Sequence, residues 1–227
     1  MYLITGASRG IGQYLFDRLS SEGEGTIGTY HSTVPTRPDP DRMFPVDVAN
    51  ADQVAAWVER IRPRLQSIVL INCAAINYNA FGHKADLARW EQVIRVNLLG
   101  TFNVIHAVLP TMRAEGYGRI VNFSSVVAQT AVPGTSAYAA SKAALWGMSR
   151  ALAAENASRN ITINSLNLGY FDIGIVREVP PAYQETVKAR IPSGLFGQPE
   201  DIYNAIKFVV STGYFNGSSL DLNAGLA

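Results

Sequence analysis

The sequence predicts a three-layer, doubly wound α/β domain around a seven-stranded parallel sheet, spanning residues 1–227 as one unit. Three observations carry this. Short β-rich runs alternate with longer stretches of helical periodicity, the pattern of a parallel sheet covered on both faces. The first strand runs directly into a glycine-rich turn that opens a helix. No repeat, low-complexity block or charge run divides the chain.

Strands are expected at Tyr2–Thr5, Thr26–Tyr30, Met43–Val46, Ser67–Asn72, Gly118–Ser124, Ile161–Leu168 and Ser219–Leu222. Helices are expected at Ile11–Glu22, Ala51–Arg64, Leu87–Glu115, Ala137–Ser158 and Pro199–Ser211. In the second of these, Ala56, Ile61 and Leu65, with Val54 and Val58, have helical rather than alternating spacing. Between Tyr30 and Met43 the prolines Pro35, Pro38 and Pro40 remove amide donors and turn their predecessors away from helix. That crossover should be an irregular loop or a single turn.

Nineteen basic residues against eighteen acidic give a formal charge of +1. This balance offers no electrostatic reason to expect nucleic acid or an anionic membrane as partner. Cys73 is the only cysteine, which excludes an internal disulfide and a cysteine-based zinc site. His31, His83 and His106 lie far apart without ligand spacing, so no metal is expected. No leader pattern opens the chain, and the apolar run around Ile68 to Ile76 is too short to span a bilayer. A cytoplasmic location is expected.

Thr5-Gly6-Ala7-Ser8-Arg9-Gly10-Ile11-Gly12 joins the first strand to the first helix. Glycines permit a tight turn and close approach of a pyrophosphate, and free amides at a helix start favour an anion. The spacing Gly-x-x-x-Gly-x-Gly resembles that of the short-chain dehydrogenase/reductase family, whose fold is of Rossmann type. Gly6, Ser8, Arg9, Gly10, Ile11 and Gly12 are thereby candidate cofactor contacts.

A carboxylate about 20 residues past the glycines would hold the free ribose 2′-hydroxyl of NAD. Here the second strand ends in Thr29-Tyr30-His31-Ser32-Thr33, with no acid until Asp39. His31, Ser32 and Thr33, with Arg9 nearby, suit a 2′-phosphate instead, so NADPH is predicted. Arg37 is a second candidate for the same phosphate. Arg9 also resembles the basic residue of NADPH-preferring family members. Asp47-Val48 is similar to the family pair that contacts adenine, although Asp47 has an alternative role as a helix cap. Asn72-Cys73-Ala74-Ala75 stands where the family has Asn-Asn-Ala-Gly, which makes Asn72, Cys73 and Ala74 candidates along the cofactor path. Cys73 reads as a packed small residue rather than a nucleophile.

Tyr138-Ala139-Ala140-Ser141-Lys142 sits near the start of a helical run, and the i, i+4 spacing puts the phenol and the ammonium on one face. The lysine charge should lower the Tyr138 pKa and suit the phenol to protonate a carbonyl oxygen. Thirteen residues upstream, Ser125 ends the fifth strand. Ser125 with Tyr-x-x-x-Lys resembles the family's catalytic set, whose serine holds the substrate oxygen and whose lysine also reaches a ribose hydroxyl. Ser124, its neighbour, should point to the opposite face. Asn97 interrupts a long helical pattern; as the resemblance implies, it would bend the helix and hold water near Lys142, with a plain polar helix break as the alternative.

Gly169 and Phe171 fall in the segment similar to the family's Pro-Gly-x-x-x-Thr, with Ile173 where the hydroxyl would be. The segment from Tyr170 to Phe196, with a helical stretch through Tyr183, Val187 and Ile191, should cover the substrate cleft. Ser125, Val127, Gln129, Asn77 and Tyr170 are candidate pocket residues. The run Ile191 to Asp201 resembles 3-oxoacyl-carrier-protein reductases. The expected activity is NADPH-dependent interconversion of a carbonyl and a secondary alcohol, on a small-molecule or carrier-bound substrate. A secondary-metabolite ketoreductase is equally admissible. The rivals are an NADPH-sensing regulator on the same scaffold, and a lyase or epimerase using transient oxidation. Apolar positions at Ile94, Val104, Val108, Leu145, Trp146 and Met148 exceed what one sheet face needs, so a homodimer or homotetramer is expected.

Overall fold

The computed structural model describes residues 1–36, 39–130, 132–178 and 180–227. Its seven strands are β1 (Tyr2–Thr5), β2 (Thr26–Tyr30), β3 (Met43–Pro45), β4 (Val69–Asn72), β5 (Gly118–Ser125), β6 (Ile161–Leu168) and β7 (Ser219–Leu222). All pair in parallel, in the order β3-β2-β1-β4-β5-β6-β7. The order reverses between β1 and β4, so a crevice opens at the carboxyl ends of those strands.

The helices are α1 (Gly10–Ser21), α2 (Ala51–Ile61), α3 (Leu87–Ile94), α4 (Thr101–Glu115), α5 (Ser136–Asn156), α6 (Ile175–Glu178), α7 (Pro181–Lys188) and α8 (Pro199–Ser211). Local chemistry sets several of their ends. The Asn50 side chain accepts from Gln53 N–H to start α2, and Asp86 accepts from Arg89 N–H to start α3. Gly116 takes a left-handed conformation to stop α4. Gln198 and Asp201 form a reciprocal capping box at α8.

Strand side chains alternate between two cores. Leu3, Leu70, Ile120 and Ile163 pack with α2 and α4 on one face. Ile4, Ile71, Val121 and Phe123 pack with α1 and α8 on the other. Asn72, Asn122 and Ser165 are register partners across the middle of the sheet. Asn72 Nδ2 donates to Asn122 Oδ1 at 2.8 Å, and Asn122 Nδ2 to Ser149 Oγ on α5 at 2.9 Å. This buried chain ties α5 to the strands beneath it, because each amide left without a partner would be costly.

Several expectations shift. β5 runs one residue further, to Ser125, and β4 starts at Val69 because Ser67 turns left-handed. No helix joins β2 to β3 among the described residues, as the prolines require. The long pattern from Leu87 to Glu115 is helical throughout but passes through a π-helical turn at Arg95–Gly100. Its length and apolarity alone would let it cross a bilayer. Here Val104, Ile105, Val108 and Met112 are fully buried on the sheet, as in a core helix. Val104, Val108 and Leu145 are therefore spent inside the monomer and are not spare for an interface.

Candidate active site

Every strand of the parallel sheet delivers its carboxyl end to one edge, and a cavity of about 480 Å³ lies there. The β1–α1 turn forms its floor. Gly6 and Gly10 both have positive φ, and a Cβ on Gly6 would meet the Ala74 backbone at 2.9 Å. Gly12 does not face the cavity; a Cβ there would lie 2.2 Å from the Gly6 carbonyl, so its part is to let α1 close on the turn. Ser8, Arg9, Gly10 and Ile11 line the opening at the start of α1. Arg9 precedes the helix without a side-chain cap contact to it.

At one end of the cavity stand His31, Ser32 and Thr33, with Asp47 and Val48 beside them. Asp47 does not cap α2, since Asn50 does; its carboxylate instead accepts from Ala49 N–H at 2.9 Å. Arg37 lies outside the described residues. Sequence reasoning missed Thr29, which lines this end and whose buried hydroxyl has no hydrogen-bond partner among the described residues. It also missed Thr5, whose Oγ1 accepts from both Cys73 N–H and Ala74 N–H at 3.1 Å. The hydroxyl at the end of β1 thereby shapes the chain leaving β4. Cys73 and Ala74 line the cavity; Asn72 lies behind them in the Asn72–Asn122 chain.

Ser125, Tyr138 and Lys142 meet on the inner wall. Ser125 Oγ accepts from Val127 N–H at 3.2 Å, with the Tyr138 phenol beside it on the same wall. Ser124 points away, donating to the Lys142 carbonyl at 2.9 Å. Lys142 Nζ donates to the Phe123 carbonyl at 2.6 Å and lies 5.6 Å from the centre of the Tyr138 ring.

The expected lowering of the Tyr138 pKa does not hold. Burial pushes the phenol up to about 12, and the neighbouring Ser125 hydroxyl only partly opposes it. Burial also lowers Lys142 to about 8. An ammonium that has itself lost water and turned to a backbone carbonyl does not offset the dehydration of its neighbour.

Asn97 is fully buried and does not face the cavity. Its Nδ2 donates to the Ile76 carbonyl and to Ser141 Oγ, and its Oδ1 accepts from Ile76 N–H. The π-helical turn gives the amide room to reach both partners. It ties the β4–α3 loop to α5 beside Lys142 and makes no contact with the Lys142 amine.

The roof is the segment after β6. Gly169 and Phe171 line the cavity, yet Gly169 has a second reason to be glycine: a Cβ would meet Asn223 at 2.8 Å. Phe171 and Gly197 pair as a parallel bridge that closes the base of the segment carrying α6 and α7. Its Gly174 Cα then rests 3.4 Å from a Cβ position on Gly10. Ile173 lines the cavity and packs against the edge of the core, offering an apolar surface where a hydroxyl would be. Asn77, Val127 and Tyr170 line the cavity, as expected of pocket residues, joined by Val132, Val187 and Phe196. Gln129 does not: its amide is turned to Asp221.

Residues 1–184 match the family of short chain dehydrogenases. The chain belongs to that family. It is 35% identical to the 3-oxoacyl-[acyl-carrier-protein] reductase FabG of Pseudomonas aeruginosa, over 99% of this chain and 96% of that protein. It is 32% identical to an acetoacetyl-CoA reductase of Allochromatium vinosum, over 99% and 97%. Among solved structures, the aldohexose dehydrogenase of Thermoplasma acidophilum superposes with a TM-score of 0.90 at 28% identity, over 99% of this chain and 92% of that one. This family member is an oxidoreductase with the Rossmann-type fold, and its family uses nicotinamide cofactors.

Burial pushes the Cys73 thiol up to about 11. At pH 8 only about one thiol in a thousand would be ionised. Cys73 should therefore stay unmodified by iodoacetamide at that pH in the folded protein. Rapid single-site alkylation, read by intact mass, would contradict its reading as a packed residue.

Proposed function

We propose that the protein is an NADPH-dependent ketoreductase in which Tyr138 protonates the carbonyl oxygen of its substrate. The observation that carries this reading is the convergence of Ser125, Tyr138 and Lys142 on one wall of the cavity. A phenol held protonated at neutral pH is a proton donor rather than a base, which suits the reductive direction. Ser125 holds the substrate oxygen next to that phenol.

A bound NADPH supplies the hydride. The residues fit such a group: glycines admit a pyrophosphate against the α1 amides, and Thr29, whose buried hydroxyl has no partner among the described residues, lines the adenosine end. Arg9, His31, Ser32 and Thr33 would hold the 2′-phosphate, Asp47 and Val48 the adenine, and Lys142 a ribose hydroxyl. Apart from Lys142, the substrate end is lined by neutral side chains, among them Asn77, Val127, Thr135, Tyr170 and Phe196. That lining suits an uncharged 3-oxoacyl group, the substrate class in the relatives' names. A cytoplasmic homodimer or homotetramer belongs to the same proposal. Leu99 and Phe102 remain 48% and 42% exposed and are available for an interface.

A panel of carbonyl compounds with NADPH, followed by cofactor absorbance, tests the activity. Tyr138→Phe should bind NADPH normally and lose turnover by roughly two to four orders of magnitude. Near-normal turnover at saturating substrate would remove Tyr138 from this role. The pH dependence has a definite sign. Lys142 is charged below about 8 and neutral above it, whereas Tyr138 keeps its proton to about 12. The reductive rate should fall as pH rises through about 8, and Lys142→Met should abolish that limb.

Cofactor choice is tested separately by calorimetry. A charge-assisted phosphate contact of about 1.5–3 kcal/mol predicts that NADPH binds at least about tenfold more tightly than NADH. Arg9→Ala should shrink the difference chiefly by weakening NADPH. Equal affinities in the wild type would overturn the NADPH assignment.

A further inference from the structure

Ser124, Asn167 and Asp221 are register partners on β5, β6 and β7, so their side chains leave the sheet on one face in a row. All three are engaged. Ser124 Oγ donates to the Lys142 carbonyl at 2.9 Å. Asn167 Oδ1 accepts from the indole Nε1 of Trp146, one helical turn beyond Lys142, at 2.7 Å. Asn167 Nδ2 donates to Asp221 Oδ1 at 2.5 Å, and Gln129 Nε2 donates to both Asp221 oxygens at 3.1 Å.

The direction of this chain is chemically fixed. An indole N–H only donates and a carboxylate only accepts, so the Asn167 amide must present oxygen to Trp146 and nitrogen to Asp221. Asn167 is 2% exposed, and a lost partner there would leave a dehydrated amide. Gln129 closes the turn that follows Ser125: its N–H donates to the Val126 carbonyl at 2.9 Å. The same turn supplies the Val127 N–H that fixes Ser125 Oγ at 3.2 Å.

We propose that Asp221 is a positioning residue that clamps the turn carrying Val127, through Gln129, to the helix carrying Tyr138 and Lys142, through Asn167 and Trp146. It touches neither substrate nor cofactor. Its effect is to hold Ser125 and Tyr138 at one separation, although they lie on different elements. The inference rests on the reductase reading for its kinetic consequence, but the clamp itself is a statement about two segments of backbone.

The test uses the full chain with NADPH and acetoacetyl-CoA as probe, in Asp221→Ala, Gln129→Ala, their double variant and Asp221→Asn. A displaced catalytic pair costs rate rather than binding, so kcat should fall about tenfold in each single alanine variant while NADPH affinity stays within about twofold. The double variant should be no slower than Asp221→Ala alone, because both act through one contact. Asp221→Asn, which keeps one acceptor oxygen, should fall between. Amide exchange should quicken in residues 126–130 in Asp221→Ala, with the central strands unchanged. Unchanged kcat with unchanged exchange would overturn the clamp, as would additive losses in the double variant. A wild type silent toward every carbonyl probe would refute the reductase reading instead. The exchange rates of 126–130 would then still decide whether Asp221 holds the turn.

Discussion

Two hydrogen bonds between one helix and one strand end set the geometry on which the rest depends. Ser124 Oγ donates to the Lys142 carbonyl, and the Lys142 ammonium donates to the Phe123 carbonyl, both away from water. Together they weld α5 to the carboxyl end of β5. Tyr138, one turn earlier on that helix, is thereby brought against Ser125, the last residue of the strand. A hydrogen bond to a charged group contributes about 1.5–3 kcal/mol, more than a neutral one. Burying the ammonium opposes that gain, and the lowered Lys142 pKa records the cost. The site is held where the chemistry wants it at some expense to the charge inside it.

The cavity follows from the sheet. Parallel strands finish at one edge, and the reversal of order between β1 and β4 leaves the crevice uncovered. Backbone approaches too close for a Cβ then shape it at Gly6 and Gly169. The segment after β6 returns as a roof whose base is pinned where Phe171 meets Gly197. Ile173 packs against the edge of the core while lining the cavity, so this roof is held down by packing and backbone contact rather than by a hydroxyl.

Much of this was legible in the residue order, because it is local. The glycine turn after β1, the Tyr138–Lys142 spacing and the proline-interrupted crossover are each set by neighbours within a few positions. The alternation of strands and helices was legible for the same reason. What escaped depends on register between distant strands. The Thr5 hydroxyl meets the Cys73 and Ala74 amides only because β1 and β4 pair as they do. Gln129 lies near Ser125 in sequence and was expected in the pocket, yet β7 draws its amide away. The direction of the Tyr138 shift was misjudged for a related reason: spacing reveals a neighbouring charge but not the loss of water around both groups. Burial, a property of the whole fold, decided that sign.

The most direct test of the account is turnover in Ser125→Ala at saturating NADPH and carbonyl substrate, with cofactor affinity measured alongside. If the β5–α5 weld serves to set Ser125 against Tyr138, kcat should fall by about a hundredfold or more while NADPH binds as before. Turnover within about twofold of the wild type would show that the Ser125–Tyr138 pair does not carry the chemistry.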